Sequence, residues 1–116
     1  PLLGWGTGSF PAAYATIAGQ RNMALTNNPH NEYLLIAVQT GFAGLVCLLY
    51  LLASQWQGAG RLQDHFYRDL GRGFVLTFAV GCLFNSLLLD HTEGLLFAWL
   101  SALIYAAPKT AAGSSP

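Results

Sequence analysis

From Tyr33 to Trp56 the chain carries no charged residue. Taken only to Ala53, this run rises about 31 Å as a helix, the thickness of a hydrocarbon core of about 30 Å. A buried helix of a water-soluble domain rarely needs so long an apolar stretch. Composition points the same way. Hydrophobic residues make up 53% and charged residues 9% of the 116 residues, against about 25% charged in soluble domains. So few charges cannot coat a globule, which leaves lipid as the surface the chain faces. The net charge is zero, so no basic field exists to attract nucleic acid. The two cysteines, Cys47 and Cys82, lie inside apolar runs and read as buried thiols.

Two further uncharged runs follow, Gly73 to Leu89 and Leu95 to Pro108, separated by "DHTEG". One helix over 73–107 would be about 52 Å long, far more than a bilayer accepts. It must therefore break at Asp90–Gly94. The expectation is an all-α, polytopic membrane fragment with three transmembrane helices, about 33–56, 73–89 and 94–108. An extracytoplasmic loop over 1–32 precedes them, with a short helix near Pro11–Ala18 ended by Gly19. The polar linker 57–72 is expected to hold an amphipathic surface helix with Leu62, Phe66 and Leu70 on one side. Residues 109–116 read as a disordered tail. The chain reads as the C-terminal piece of a larger membrane protein.

Arg61, Arg68 and Arg72 lie in the linker and Lys109 follows the last run, while only Arg21 precedes the first. Cytoplasmic loops favour Lys and Arg, which places the linker inside. Residues 1–32 and the Asp90–Glu93 turn then share the outer face. Two polar clusters meet there.

The first cluster is "NNPHNE", residues 27–32. Pro29 suits the first position of a helix with Asn28 as its cap, and His30 and Asn31 follow in the first turn. Free backbone N–H groups there form a site for phosphate oxygens, and a neutral imidazole beside them can accept a proton. That pairing suits transfer from a phosphate-linked donor. Gly41 lies 11 residues after His30, and 11 steps of about 100° return to within roughly 20° of the start. Ala37, Gly41 and Gly44 thus form a small-residue stripe below His30, open to close approach by another helix. Such a stripe also serves packing alone.

These residues resemble a known signature. "HN", nine residues, then "GFAG" (His30, Asn31, Gly41, Gly44) is similar to the motif of the O-antigen ligase superfamily. That superfamily comprises O-antigen ligases, pilin-type O-oligosaccharyltransferases and some O-antigen polymerases. "GWGTGSF" resembles the glycine-rich element that precedes the histidine in these proteins, and "DHTEG" resembles a turn between their closing helices. The resemblance implies a multi-pass bacterial inner-membrane enzyme with its active site facing the periplasm. Such an enzyme transfers a glycan from undecaprenyl pyrophosphate to lipid A core, another glycan or a protein, with no cofactor and no nucleotide sugar. It further implies His30 as the base on the acceptor hydroxyl. The family's essential arginines lie mostly upstream of this region, and a fragment lacking them is inactive by itself.

Asn31, Arg21, Glu32, Asp90, His91 and Glu93 are the candidate substrate-binding residues, with Arg21 toward pyrophosphate. Asp90, His91 and Glu93 fit two roles: contact with His30 or acceptor sugars, or capping of the last helix in water. No spacing marks a metal site. Two rivals come from other classes. A transporter proton relay needs ionisable groups at mid-membrane depth, whereas here they gather at one surface. A structural membrane subunit predicts no cost from changing His30.

Overall fold

The computed structural model describes residues 2–21, 23–25 and 27–106. Among them are four helices: α1 Phe10–Arg21, α2 Glu32–Gly60, α3 His65–Phe84 and α4 His91–Tyr105. The all-α expectation holds for the described residues. The expected tail 109–116 and the end of the third run lie outside them.

The helix starts follow cap chemistry. Asn31, Asp64 and Asp90 precede α2, α3 and α4 in extended backbone, and each side chain accepts a first-turn amide. Losing one such cap typically costs about 1 kcal/mol. α1 runs through Gly19 to Arg21, beyond its expected end.

The expected linker 57–72 is mostly helical. α2 continues to Gly60 and α3 begins at His65, so only residues 61–64 turn. The expectation for this stretch is a polar linker holding a short amphipathic helix, and its charges find local partners. Asp64 caps α3, Arg68 meets the His65 imidazole, and the Arg72 guanidinium lies 5.5 Å from the Trp56 ring centroid. Phe66 and Leu70 belong to α3 itself and are exposed.

α2 and α3 form an antiparallel pair, and α4 returns alongside α3. Leu48 and Leu52 of α2 pack with Val75 of α3, while Phe74 and Phe78 meet Phe97 of α4 at ring separations of 5.2 and 4.9 Å. At the far end Gly71 sits against Ala59 and Ile104, where a Cβ would come within 2.9 Å of the Ala59 methyl. The Tyr105 hydroxyl donates to the Gln55 carbonyl there. Such interhelical bonds contribute roughly 1 kcal/mol each where helices meet in lipid.

α2, with 29 residues and a mean hydropathy of 2.1 over its most apolar window, is the one helix among the described residues long and apolar enough to cross a membrane. The three-span expectation therefore reduces to one such helix. α4 has only 15 residues, about 22 Å. α3 spends its first two turns on Arg68, Asp69 and Arg72. Leu34, Phe42, Val46, Leu49 and Tyr50 of α2 and Leu95, Trp99 and Leu103 of α4 are exposed. Cys47 is among the exposed positions, against expectation, whereas Cys82 is buried; both are free thiols.

α2 is not straight. Gly41 has φ 73° and ψ −162°, which breaks the helix there. In an unbroken helix the carbonyls of Val38 and Gln39 would bond the amides of Phe42 and Ala43. At the kink they accept from the amides of Trp5 and Gly6, both at 2.9 Å. The glycine-rich start of the chain is thus laid across the bend.

Candidate polar site at the head of the second helix

The site is built from one end of each of three helices. Its first component is the run before α2. The Asn28 Oδ1 accepts the His30 backbone N–H at 2.8 Å and the Ser86 hydroxyl at 3.0 Å. Asn31 is bound in two directions. Its Oδ1 accepts Leu34 N at 3.0 Å as the helix cap, and its Nδ2 donates to Leu83 O at 3.0 Å. The Glu32 carboxylate accepts Leu88 N at 2.9 Å. One residue later the Tyr33 hydroxyl donates to Ala79 O at 2.9 Å.

The second component is the 85–90 connection between α3 and α4. Ser86 N–H donates to Asn85 Oδ1. Leu88 offers its N–H to Glu32, while its carbonyl lies so close to α4 that a Cβ on Gly94 would come within 2.7 Å of it. Glu32, Leu88 and Gly94 therefore form a continuous contact from the head of α2 to the first turn of α4. The two polar clusters of the sequence lie at one end of the bundle.

His30 sits within this frame but outside the helix. The cap is Asn31, not Asn28, so His30 precedes the first turn instead of lying in it. Its backbone has φ 51°, the sole positive value among described non-glycine residues. Such a conformation costs about 1 kcal/mol or more unless neighbours impose it. Here Asn28 holds its amide, and Asn31 and Glu32 hold the residues that follow. The imidazole itself is exposed.

The remaining candidates divide. Glu32, an expected substrate contact, is 0% exposed, and its carboxylate accepts the Leu88 N–H of the chain's own backbone. Asp90 caps α4, accepting Thr92 N at 3.3 Å. His91 opens that helix and is exposed, and Glu93 lies half-buried in its first turn. Arg21 closes α1 and is exposed. Among the described residues no three His, Cys, Asp or Glu side chains gather as a metal site would require.

The small-residue stripe has a different use from the one its spacing suggested. A Cβ on Gly41 would lie 2.5 Å from Leu2 O and 2.6 Å from Gly4 N, and a Cβ on Gly44 would strike the Thr40 side chain. Gly41 thus admits the backbone of the N-terminal segment, and Gly44 admits a side chain of its own helix. The kink also separates Ala37 from Gly44, since a continuous stripe needs a continuous helix. Gly4 completes the crossing, for a side chain there would run into Gln39 and Gly41. Sequence reasoning missed this partnership. Its one trace was that glycines recur in both segments.

Residues 1–49 match the family model described as O-antigen ligase. The match contains His30, Asn31, Gly41 and Gly44 and ends inside α2. No curated protein and no solved structure matches the chain.

Proposed function

We infer, from the match of residues 1–49 to the O-antigen ligase family model, that the chain is part of a membrane glycosyltransferase that moves a glycan from undecaprenyl pyrophosphate to an acceptor. The acceptor in this reading is a lipid A core sugar. Protein and growing-glycan acceptors define the neighbouring activities of the same superfamily. His30 takes the proton of the acceptor hydroxyl. The acceptor oxygen then bonds to the anomeric carbon, and the bond from that carbon to the pyrophosphate oxygen breaks, with the electron pair leaving on the lipid pyrophosphate. Asp90, His91 and Glu93, at the start of α4, are proposed to meet the acceptor sugar, and Arg21 the pyrophosphate.

The observation that carries this reading is the treatment of His30. Its backbone is held in a costly conformation by bonds on either side, while its imidazole is left exposed. Backbone strain of this kind gathers at functional sites. The test is transfer of lipid-linked glycan by the purified full-length enzyme in nanodiscs, offered lipid A core, peptide and free glycan in separate reactions. Transfer to lipid A core alone is the expected result. Transfer only to peptide or only to glycan would reassign the acceptor, and transfer to none would remove the reading.

The proposed membrane placement sets the head of α2 and the start of α4 in the periplasm, with residues 61–64 in the cytoplasm and α3 and α4 inserted beside α2. Single cysteines replacing Leu25 and Thr92, in a background lacking Cys47 and Cys82, are expected to react with an impermeant thiol reagent added outside the inner membrane. One replacing Gln63 is expected to stay unlabelled until the membrane is opened. The reverse pattern would turn the site toward the cytoplasm and exclude a periplasmic reaction.

A further inference from the structure

Glu32 is fully buried, yet it stands two residues from an exposed histidine. A carboxylate is expensive to enclose unless hydrogen bonds replace its water. Here the replacement comes from a part of the chain 56 residues away, the Leu88 N–H, which donates to Oε2 at 2.9 Å, while the buried Oε1 has no hydrogen-bond partner among the described residues.

Two other bonds join the same two segments. Asn28 accepts from Ser86, and Asn31 donates to Leu83. The three side chains lie on both sides of His30 in the sequence, and their partners fall between Leu83 and Leu88. The 85–90 connection is thereby fastened to the residues that flank His30, and Leu88 passes that fastening to the first turn of α4 through its contact with Gly94. Asp90, His91 and Glu93 follow directly.

We propose that Glu32 is a positioning residue: its carboxylate, by gripping the Leu88 backbone, sets the start of α4 at a fixed place relative to His30, so that base and acceptor meet in register. The role rests on the glycosyltransferase reading above. Glu32 neither touches substrate nor takes a proton in the reaction. A change there loosens the distance between two working surfaces, and a misplacement of about 1 Å at a reacting centre can cost on the order of 10²-fold in rate.

The experiment uses the full-length enzyme with Glu32→Gln, Ser86→Ala and the double variant. Glu32→Gln keeps one acceptor oxygen but turns an NH2 group toward backbone donors. It is expected to lower kcat by about 10- to 100-fold while the KM for lipid-linked donor stays within about twofold, because donor contacts are untouched. Ser86→Ala loosens the same connection from its other side, so its smaller loss should combine non-additively with that of Glu32→Gln. The pH dependence of kcat should keep the limb that His30 imposes. Hydrogen exchange at peptides covering 85–90 should quicken at least about tenfold in Glu32→Gln, since a charge-assisted bond to Leu88 gives way to a weaker neutral one beside a misplaced NH2 group.

Wild-type kcat and undiminished protection in Glu32→Gln would overturn the proposal. Loss of the pH limb in Glu32→Gln would overturn it too, because Glu32 would then be the base itself. If the wild-type enzyme transfers no glycan, the functional reading fails separately, and a lack of faster exchange at 85–90 would still sink the positioning role.

Discussion

Replacing His30 by Ala in the full-length enzyme is expected to reduce glycan transfer by 10²–10⁴-fold, the usual cost of removing a general base. Membrane abundance should stay near wild type, since the imidazole is exposed and its removal opens no cavity. His30→Gln should fail as well. An amide keeps hydrogen bonding but takes no proton. His65→Ala is the matched control: that histidine begins α3, beside Arg68 at the opposite end of the bundle, and its loss should leave turnover unchanged. The φ of 51° adds a second readout. His30→Gly should be as inactive as His30→Ala yet more stable by about 1 kcal/mol, because glycine enters the left-handed region without a Cβ penalty. Thermal melting in detergent measures it. Near-normal turnover by His30→Gln would mean that the residue orients substrate without accepting its proton. Equal melting of the Gly and Ala variants would mean that the backbone there relaxes at no cost.

The largest structural effect is expected at Gly41. A leucine there meets two obstacles at once, a left-handed φ of 73° and backbone atoms of Leu2 and Gly4 within 2.6 Å of the new Cβ. The conformational penalty alone is about 1–2 kcal/mol, and displacing packed backbone brings the total to about 4 kcal/mol or more, at the extreme of single substitutions. Gly41→Leu should therefore leave little folded protein in the membrane, and Gly41→Ala should already be damaging. Val46→Leu, at an exposed apolar position, should be tolerated. Size-exclusion profiles in mild detergent, with the melting temperature of whatever survives, give the comparison. A Gly41→Leu protein as abundant and as stable as Val46→Leu would show that residues 2–6 do not rest on the kink.

The two glycine results and the histidine result also mark what was legible in the sequence. The apolar run from Tyr33 announced α2, and the Asn-rich tract announced its start, because helix ends need side chains that replace missing partners. The cap moved from Asn28 to Asn31 since both residues suit the role, and the choice depends on Leu83 O, a backbone atom without a sequence signature. Glu32 looked like a substrate contact for the same reason. Its partner is the amide of Leu88, and an amide looks alike at every residue. The Ala37–Gly41–Gly44 stripe assumed an unbroken 3.6-residue period, and a glycine does not say beforehand whether it will sit in a helix or break one. The linker 57–72 was placed by its charges, which the folded chain absorbs in a cap and a ring contact. Residue type thus revealed which ends of the chain are polar and that they meet. It did not reveal which of those polar groups face inward.

The bend in α2 has a mechanical consequence. Residues 31–41 make a lever about 15 Å long, with its pivot at Gly41 and His30 just past its tip. A rotation of about 20° at the pivot, the size that separates gentle curvature from a kink, swings the tip through about 5 Å. That is more than the reach of a hydrogen bond. The bonds of Asn31, Glu32 and Tyr33 hold the tip, and the pivot is held by a pair of amides from Trp5 and Gly6, some 24 residues before the histidine whose aim they help to set.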